Sequence, residues 1–203
     1  MQVSGLEDAI MGERYSDLLA GLPSTFRYTE AREHLNERQF RSLLADAQIM
    51  PIARGLYRKS DWYGDEDLTE IAAKAPLATI AMRSALARYD LIDDIPRRID
   101  IAVPRGSWTP RLVVPIHWHH FAPATFEIGR SLLNTEAGVI GLYSAERSIV
   151  DVFRLRHQEG EEVAVEAIKR WLRQGGQPSE LLLIAQSFPR VVTPLRNLVK
   201  VLA

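Results

Sequence analysis

Residues 36–59, NERQFRSLLADAQIMPIARGLYRK, change their hydrophobic period half-way along. In the first half, apolar residues recur at the i, i+3, i+4, i+7 spacing of one buried helix face. These residues are Phe40, Leu43, Leu44 and Ala47. The second half, 49–57, is short, rich in β-forming residues and interrupted by Arg54-Gly55, where glycine can supply the positive φ of a hairpin turn. The segment therefore predicts a helix followed directly by a two-stranded hairpin.

The residues before this segment predict two further short helices. Leu6, Ile10, Leu18, Leu19 and Leu22 can share one side of a first helix, which Gly21 and Pro23 end. Thr29 is positioned to cap a second helix, TEAREHL, because a threonine oxygen can accept a hydrogen bond from a free N–H of the first turn. Asn36 is positioned in the same way to cap the third. Three short helices and a hairpin are typical of a winged helix-turn-helix.

Charge is segregated along this part of the chain, although the whole protein of 203 residues has a net charge of only −1. Residues 27–59 contain seven Lys and Arg against four acids, a net of +3, whereas residues 1–26 contain one Arg against four acids, a net of −3. The helical spacing turns Arg38, Arg41, Ser42 and Ala45 away from the apolar stripe. This pattern favours a surface that binds nucleic acid, although such arginines can also merely solvate an amphipathic helix.

The rest of the chain predicts a second domain with a mixed α/β fold. Residues 68–91 have a helical pattern that is interrupted before Pro76. Strands are predicted at 97–104, 111–122, 126–129 and 139–143, and helices at 145–157, 161–174 and 179–202. The acidic, turn-prone stretch 61–67 separates the two parts. We therefore predict an α+β protein with a winged helix-turn-helix domain at 1–64 and a mixed α/β domain at 65–203, whose sheet packs on the C-terminal helices.

Composition excludes several classes of function. The chain has no cysteine, which removes disulfides, thiolate metal sites and cysteine nucleophiles. The N-terminal residues are acidic where a signal peptide would be basic, and no apolar run approaches the roughly 18 residues that cross a bilayer. We therefore expect a cytoplasmic protein with no membrane partner.

The motif HWHH puts His117 and His119 on one face of a strand, with Trp118 on the other. Neutral imidazole is a good metal ligand, but catalytic zinc usually takes three protein ligands, and the sequence does not identify a third. We therefore expect histidines with a structural role, and neither a metal nor another cofactor. Arg97-Arg98 and the arginines of 105–111 could bind phosphate or pair with nearby aspartates.

The arginines and acids of 145–156 could form a buried network, but such residues are most often surface pairs, which we expect here. These residues are Glu146, Arg147, Asp151, Arg154 and Arg156. The chain has no Ser-His-Asp elbow, phosphate-binding glycine loop or HExxH motif, so we expect no catalytic residues and no enzyme activity.

Three separated blocks resemble the AbiEi family of antitoxins from nucleotidyltransferase toxin-antitoxin systems. The blocks are 23–62, which contains GLYR, 80–106, which contains SAL and IPRRIDIAVPRG, and 140–156, IGLYSAERSIVDVFRLR. They occur in the family's order and span most of the chain after Pro23. The resemblance implies an N-terminal winged helix that represses its own operon by binding double-stranded operator DNA with inverted repeats. It also implies a C-terminal domain that counteracts a cognate nucleotidyltransferase toxin.

The resemblance also implies which residues bind DNA. Arg38, Arg41 and Ser42 match the family's recognition helix, and Arg54, Tyr57 and Arg58 match its wing. We add Thr29 and Lys59 to this predicted DNA-binding set.

In the toxins, metal carboxylates follow a Gly-Ser turn, but no pair of aspartates follows Gly106-Ser107 here.

Two other functions remain open from the sequence. One is a transcription regulator whose second domain senses a small ligand, without any toxin. The other is a metal- or phosphate-handling enzyme that uses HWHH and the nearby arginines.

Overall fold

The structure is a computed structural model that describes residues 15, 17–60, 65–94, 96–112, 114–135 and 138–202. The described residues mix helices and strands and fall into two compact units. One unit lies within 1–73 together with 135 and 138, and the other lies within 74–134 and 139–202. The boundary expected from the sequence, after residue 64, precedes the helix Glu66–Lys74, whereas this division falls near the end of that helix.

Residues 25–59 of the first unit form a three-stranded antiparallel sheet and two short helices. Strand β1 (Thr25–Arg27) leads into α1 (Tyr28–His34) and α2 (Glu37–Ala45), and the hairpin of β2 (Ile49–Ala53) and β3 (Leu56–Lys59) follows. The strand order is β1-β3-β2, so the last strand lies in the middle. The helix and hairpin predicted within 36–59 are confirmed. Most of the predicted first helix lies outside the described residues. The part that is described, residues 17–20, is helical.

Helix α2 begins and ends through local hydrogen bonds. The Asn36 side chain accepts from the Gln39 N–H at 2.9 Å, and the Gln39 side chain accepts from the Asn36 N–H at 2.8 Å, which confirms the predicted cap. At the other end, Ala47 has a φ of 51°, and the Gln48 N–H donates to the Leu43 carbonyl at 2.9 Å. This left-handed turn ends the helix. Ala47 is therefore exposed, and its predicted place in the buried stripe is wrong.

The cap predicted for α1 is also wrong. Thr29 is the second residue of this helix, and the capping position is Arg27. Strand β1 runs straight into the helix, so the chain turns two residues earlier than the sequence suggests. The Glu30 carboxylate accepts from the Arg27 N–H at 2.5 Å and satisfies one of the free donors at the helix start.

The core of the first unit is aromatic and aliphatic. The Phe40 ring lies nearly perpendicular to the rings of Tyr28 and Tyr57, with ring centroids 5.0 and 4.9 Å apart. The fully or nearly fully buried members of this core are Tyr15, Leu22, Phe26, Ala31, Leu35, Phe40, Leu43 and Ile49. Burial of α2 through Phe40 and Leu43 leaves its opposite face in solvent, as the period of the sequence predicts.

The second unit contains a five-stranded mixed sheet in the order β6-β5-β4-β8-β7. The strands are β4 (Thr79–Ile80), β5 (Ile99–Pro104), β6 (Ile116–Phe121), β7 (Arg130–Thr135) and β8 (Gly138–Tyr143). Strand β4 pairs in parallel with β8 and antiparallel with β5, and β5 pairs in parallel with β6. The mixed sheet predicted from the sequence is confirmed.

Nearly all of helix α3 (Glu66–Lys74) belongs to the first unit. The helices of the second unit are α4 (Met82–Arg88), α5 (Pro123–Phe126), α6 (Ala145–Arg154), α7 (Arg156–Glu159), α8 (Glu161–Arg173), α9 (Pro178–Ala185) and α10 (Pro189–Leu202). Residues from α4, α6, α8, α9 and α10 form the main hydrophobic cluster with Ala102, Phe121 and Tyr143 of the sheet.

Three predicted elements of this unit are wrong. The helix predicted over 68–91 contains strand β4. The strand predicted at 126–129 is the end of α5 and a turn, and the actual strand is β7. The helix predicted over 179–202 is two helices that a break at residues 186–188 separates.

Arg147 and Asp151 are fully buried, so the expected surface pair is instead a buried network. Arg147 Nε donates to Asp151 Oδ2 at 2.8 Å, and Arg154 donates to the other carboxylate oxygen at 3.0 Å. Arg147 Nη1 also donates to the carbonyls of Thr125 and Ile128, both at 2.6 Å. Burial raises the pKa of the Asp151 carboxyl, and the two guanidiniums oppose that shift. The network joins α6 to α5 and to the turn that follows it.

None of the helices in the described ranges is long and apolar enough to cross a membrane.

Candidate nucleic-acid interface

Arg38 and Arg41 lie one turn apart on the exposed face of α2. The Arg41 side chain is 77% exposed. Among the described residues, Arg38 has no hydrogen-bond or ion-pair partner. Two guanidiniums three residues apart on a helix can reach the same stretch of a groove or of a phosphate backbone.

Glu37 lies beside these arginines and partly neutralises them. Its carboxylate accepts from Arg41 Nε at 2.7 Å and from the Tyr28 hydroxyl at 2.7 Å, and Arg32 Nη1 lies 3.8 Å away. The hydrogen bonds from Tyr28 and Arg41 hold the pKa of the Glu37 carboxyl below its ordinary value. Glu37 is therefore charged at neutral pH and competes with any anionic ligand for Arg41.

Ser42 shares the helix with these arginines but is half-buried. Its hydroxyl donates to Asp46 Oδ2 at 3.1 Å, and the same carboxylate oxygen accepts from the Tyr15 hydroxyl. The Ser42 hydroxyl is therefore already engaged within the first unit, unlike the side chain of Arg38.

The hairpin exposes Arg54 in its turn, where Gly55 has a φ of 73°. This positive φ is the conformation that the sequence predicts for Gly55. Arg54 has no hydrogen-bond or ion-pair partner in the part of the chain that the structure describes. The turn thus presents one uncompensated guanidinium to solvent.

The other hairpin residues of the predicted DNA-binding set are more buried. The Tyr57 ring packs between Phe26 and Phe40. Arg58 and Lys59 are consecutive in β3, so their side chains leave opposite faces of the sheet. Thr29, on α1, is exposed.

A second polar cluster lies in the other unit, on strands β5 and β6. Asp100 Oδ1 lies 3.1 Å from His117 Nδ1 and 2.8 Å from His119 Nε2. The two imidazole rings are 4.3 Å apart between centroids. His117 and His119 share a strand face, as the sequence predicts, and Asp100 is directly opposite His117 in the parallel register.

Asp100 is the residue that the sequence reasoning missed in this cluster. The period of two along IDIAVP places Asp100 and Ala102 on one face of β5, but the pairing of that strand with HWHH joins residues far apart in the chain. Asp100 could have been predicted only if β5 and β6 had been recognised as neighbouring parallel strands. The argument that HWHH has no third metal-ligating neighbour therefore does not hold in the folded chain.

The aspartates near Arg97 and Arg98 have other partners. Asp93 accepts from both terminal nitrogens of Arg170, with a distance of 2.6 Å for the Nη1 contact, and Asp94 accepts from Arg83 at 2.5 Å. Arg97 and Arg98 are exposed.

No protein-family model matches this chain, and no curated protein matches it significantly.

Proposed function

We propose that the chain is a cytoplasmic, non-catalytic antitoxin of the AbiEi type, whose first unit is a winged helix-turn-helix that binds operator DNA. The observation that carries the DNA-binding proposal is the exposed pair Arg38 and Arg41 on α2, followed directly by a hairpin with Arg54 in its turn. In this assignment α2 is the recognition helix and β2-β3 is the wing.

The connection of the first unit supports this assignment. A strand, two helices and a hairpin follow each other in that order, and the hairpin's second strand pairs with the first strand of the unit. In a helix-turn-helix protein, the second helix of the motif enters the major groove. The buried stripe of Phe40 and Leu43 fixes which face of α2 remains available for that contact.

The charges suggest how each part contributes. Arg38 and Arg41 can reach base edges, where a bidentate contact between arginine and guanine reads sequence. Arg54 is suited to contact phosphates or a narrow minor groove, which adds affinity with less dependence on sequence. The remaining predicted DNA contacts are Thr29, Ser42, Tyr57, Arg58 and Lys59. Within the first unit, the Ser42 hydroxyl already bonds to Asp46, and the Tyr57 ring already packs on Phe26 and Phe40.

Salt dependence tests the DNA-binding part of the proposal. Each phosphate contact should contribute about −0.9 to the slope of log K against log salt concentration. Fluorescence anisotropy with a duplex from upstream of the chain's own coding sequence should give a steep negative slope. An affinity that does not change between low and moderate salt concentrations would contradict DNA binding through these arginines.

The antitoxin part rests on the resemblance of the three sequence blocks, two of which lie mainly in the second unit. We expect neutralisation to be separable from DNA binding. In cells that express the cognate nucleotidyltransferase, the double variant Arg38→Ala, Arg41→Ala should restore growth as well as the unaltered chain at equal protein levels. Loss of rescue together with loss of DNA binding would show that the two activities are not separable.

A ligand-sensing transcription regulator is the second candidate, and one observation favours it. An open groove with a volume of about 480 Å³ in the second unit is lined by Arg83, Asp93, Glu166, Lys169 and Arg170, among others. This volume lies within the usual range of small-molecule sites. A gene neighbourhood without a nucleotidyltransferase, together with a small molecule that changes DNA affinity, would favour the regulator over the antitoxin.

A further inference from the structure

We propose that Asp100, His117 and His119 bind a divalent transition-metal ion such as Zn²⁺, with a coordination position open to solvent. Two imidazole nitrogens and one carboxylate oxygen converge on one point of the sheet, and all three ligand atoms lie within 4.8 Å of one another. Two histidines and one carboxylate form a common ligand set for zinc and for non-haem iron. This site is independent of the DNA-binding proposal.

The burial of Asp100 is the main reason to expect a cation. Asp100 is only 4% exposed, and within the described ranges no Lys or Arg pairs with its carboxylate. A buried carboxylate without a positive partner is costly, and hydrogen bonds from two imidazoles compensate only part of that cost. A divalent cation at the convergence point would supply the missing charge.

The distances are close to those of a metal site. With metal–ligand bonds of roughly 2.0 to 2.1 Å at tetrahedral angles, neighbouring ligand atoms are about 3.3 Å apart. Asp100 Oδ1 lies 3.1 Å from His117 Nδ1 and 2.8 Å from His119 Nε2. These two distances are about 0.2 and 0.5 Å shorter than that separation, so the carboxylate oxygen has to move away from both imidazoles for a cation to enter. Each neutral imidazole also has to carry its proton on the other ring nitrogen.

The surroundings leave one side of the cluster open. His119 is buried, and the Phe121 ring, 6.1 Å from the His119 ring, closes the cluster toward the core. The His117 side chain is 54% exposed. Three protein ligands with one accessible side are typical of sites that keep water or another small ligand in the fourth position.

Strand β6 is at the edge of the sheet, and two of the three ligands belong to it. A bound ion would therefore cross-link the edge strand to β5. Because an ion that binds only the folded state stabilises that state, loading should raise the midpoint of thermal unfolding.

The test uses the full chain without an affinity tag, stripped with a chelator and titrated with Zn²⁺ by calorimetry. We expect one ion per chain. His117→Ala should weaken binding by more than about 100-fold, because removal of a ligand should exceed the 10- to 100-fold effect of an outer-shell partner. Asp100→Asn should weaken binding similarly while it keeps an oxygen that accepts hydrogen bonds from both imidazoles.

His120→Ala is the matched control, since His120 is exposed and lies on the opposite face of β6. It should bind Zn²⁺ like the unaltered chain. Co²⁺ in place of Zn²⁺ should give the visible absorption of a tetrahedral site, which His117→Ala removes. His117→Ala remains informative if Asp100→Asn does not fold, because the His117 side chain is half-exposed. Absence of stoichiometric Zn²⁺, or equal binding by His117→Ala and the control, would overturn the proposal.

Discussion

At the scale of single residues, Glu37 controls how much of α2's positive charge is available. Its carboxylate accepts a hydrogen bond from Arg41 and another from Tyr28, so it is held in place on both sides. In the proposed DNA complex, the Glu37 carboxylate would compete with phosphates for the Arg41 guanidinium.

Glu37→Gln should therefore raise the affinity for DNA. The substitution removes a negative charge from the surface proposed to bind DNA and weakens the contact that holds Arg41. The slope of log K against log salt concentration should become steeper by about 0.9 if Arg41 then contacts one more phosphate. Anisotropy titrations at several salt concentrations measure both effects.

Glu33→Gln is the control for this prediction. It changes the net charge equally, but Glu33 lies on α1, is exposed and does not pair with Arg41. An equal gain in affinity for both variants would mean that only the overall charge matters, and that release of Arg41 contributes nothing.

Some residue roles that depend on near neighbours are predictable from the sequence, although the Thr29 cap and the buried place of Ala47 are wrong. The Asn36 cap, the left-handed Gly55 and the outward Arg38 and Arg41 follow from local spacing. Asp100 illustrates the limit, because its partners belong to another strand, and strand pairing is not a local property.

At the scale of elements, Arg147 joins pieces of the second unit that are far apart in sequence. Its guanidinium contacts Asp151 on its own helix, the carbonyls of Thr125 and Ile128, and the face of the Tyr143 ring at 4.3 Å. A fully buried guanidinium with this many partners is costly to disrupt, because its loss leaves the Asp151 carboxylate and two carbonyls with fewer donors.

Arg147→Met should destabilise the second unit by about 3 to 5 kcal/mol, the usual cost when one partner of a buried ion pair is removed. Urea unfolding followed by tryptophan fluorescence measures this change, because Trp171 lies in the main core of that unit.

Arg173→Met makes the same substitution at the exposed end of α8, and it should change the stability by less than about 0.5 kcal/mol. Equal unfolding midpoints for the two variants would show that the Arg147 network does not stabilise the second unit.

Elements with a clear period were predictable, and short ones were not. The helix and hairpin of 36–59 have distinct periods over enough residues to be recognised. Strand β4 has only two residues, Thr79 and Ile80, between two helices, so it has no period of its own. Its place between β5 and β8 depends on pairing with residues far away in the chain. The sequence does not indicate this pairing, because the segments on both sides of β4 have a helical pattern.

At the scale of the whole molecule, the net charge of −1 gives no indication of a nucleic-acid ligand. The DNA-binding proposal depends on the segregation of charge along the chain. Residues 27–59 have a net charge of +3, and Arg38 on α2 and Arg54 in the hairpin turn are exposed. The same segregation predicts two kinds of contact with DNA. Those of α2 should depend on sequence, whereas that of the turn should not.

The preference for promoter DNA over a scrambled duplex of equal composition tests this account most directly. This preference should be measured for three proteins. They are the unaltered chain, the double variant that carries both Arg38→Ala and Arg41→Ala, and the single variant Arg54→Ala. Since a bidentate contact between arginine and guanine contributes roughly 1 to 3 kcal/mol of discrimination, the double variant should lose about tenfold or more of the preference. Arg54→Ala should weaken binding to both duplexes evenly. A double variant that keeps the full preference for the promoter would contradict the assignment of α2 as the recognition helix.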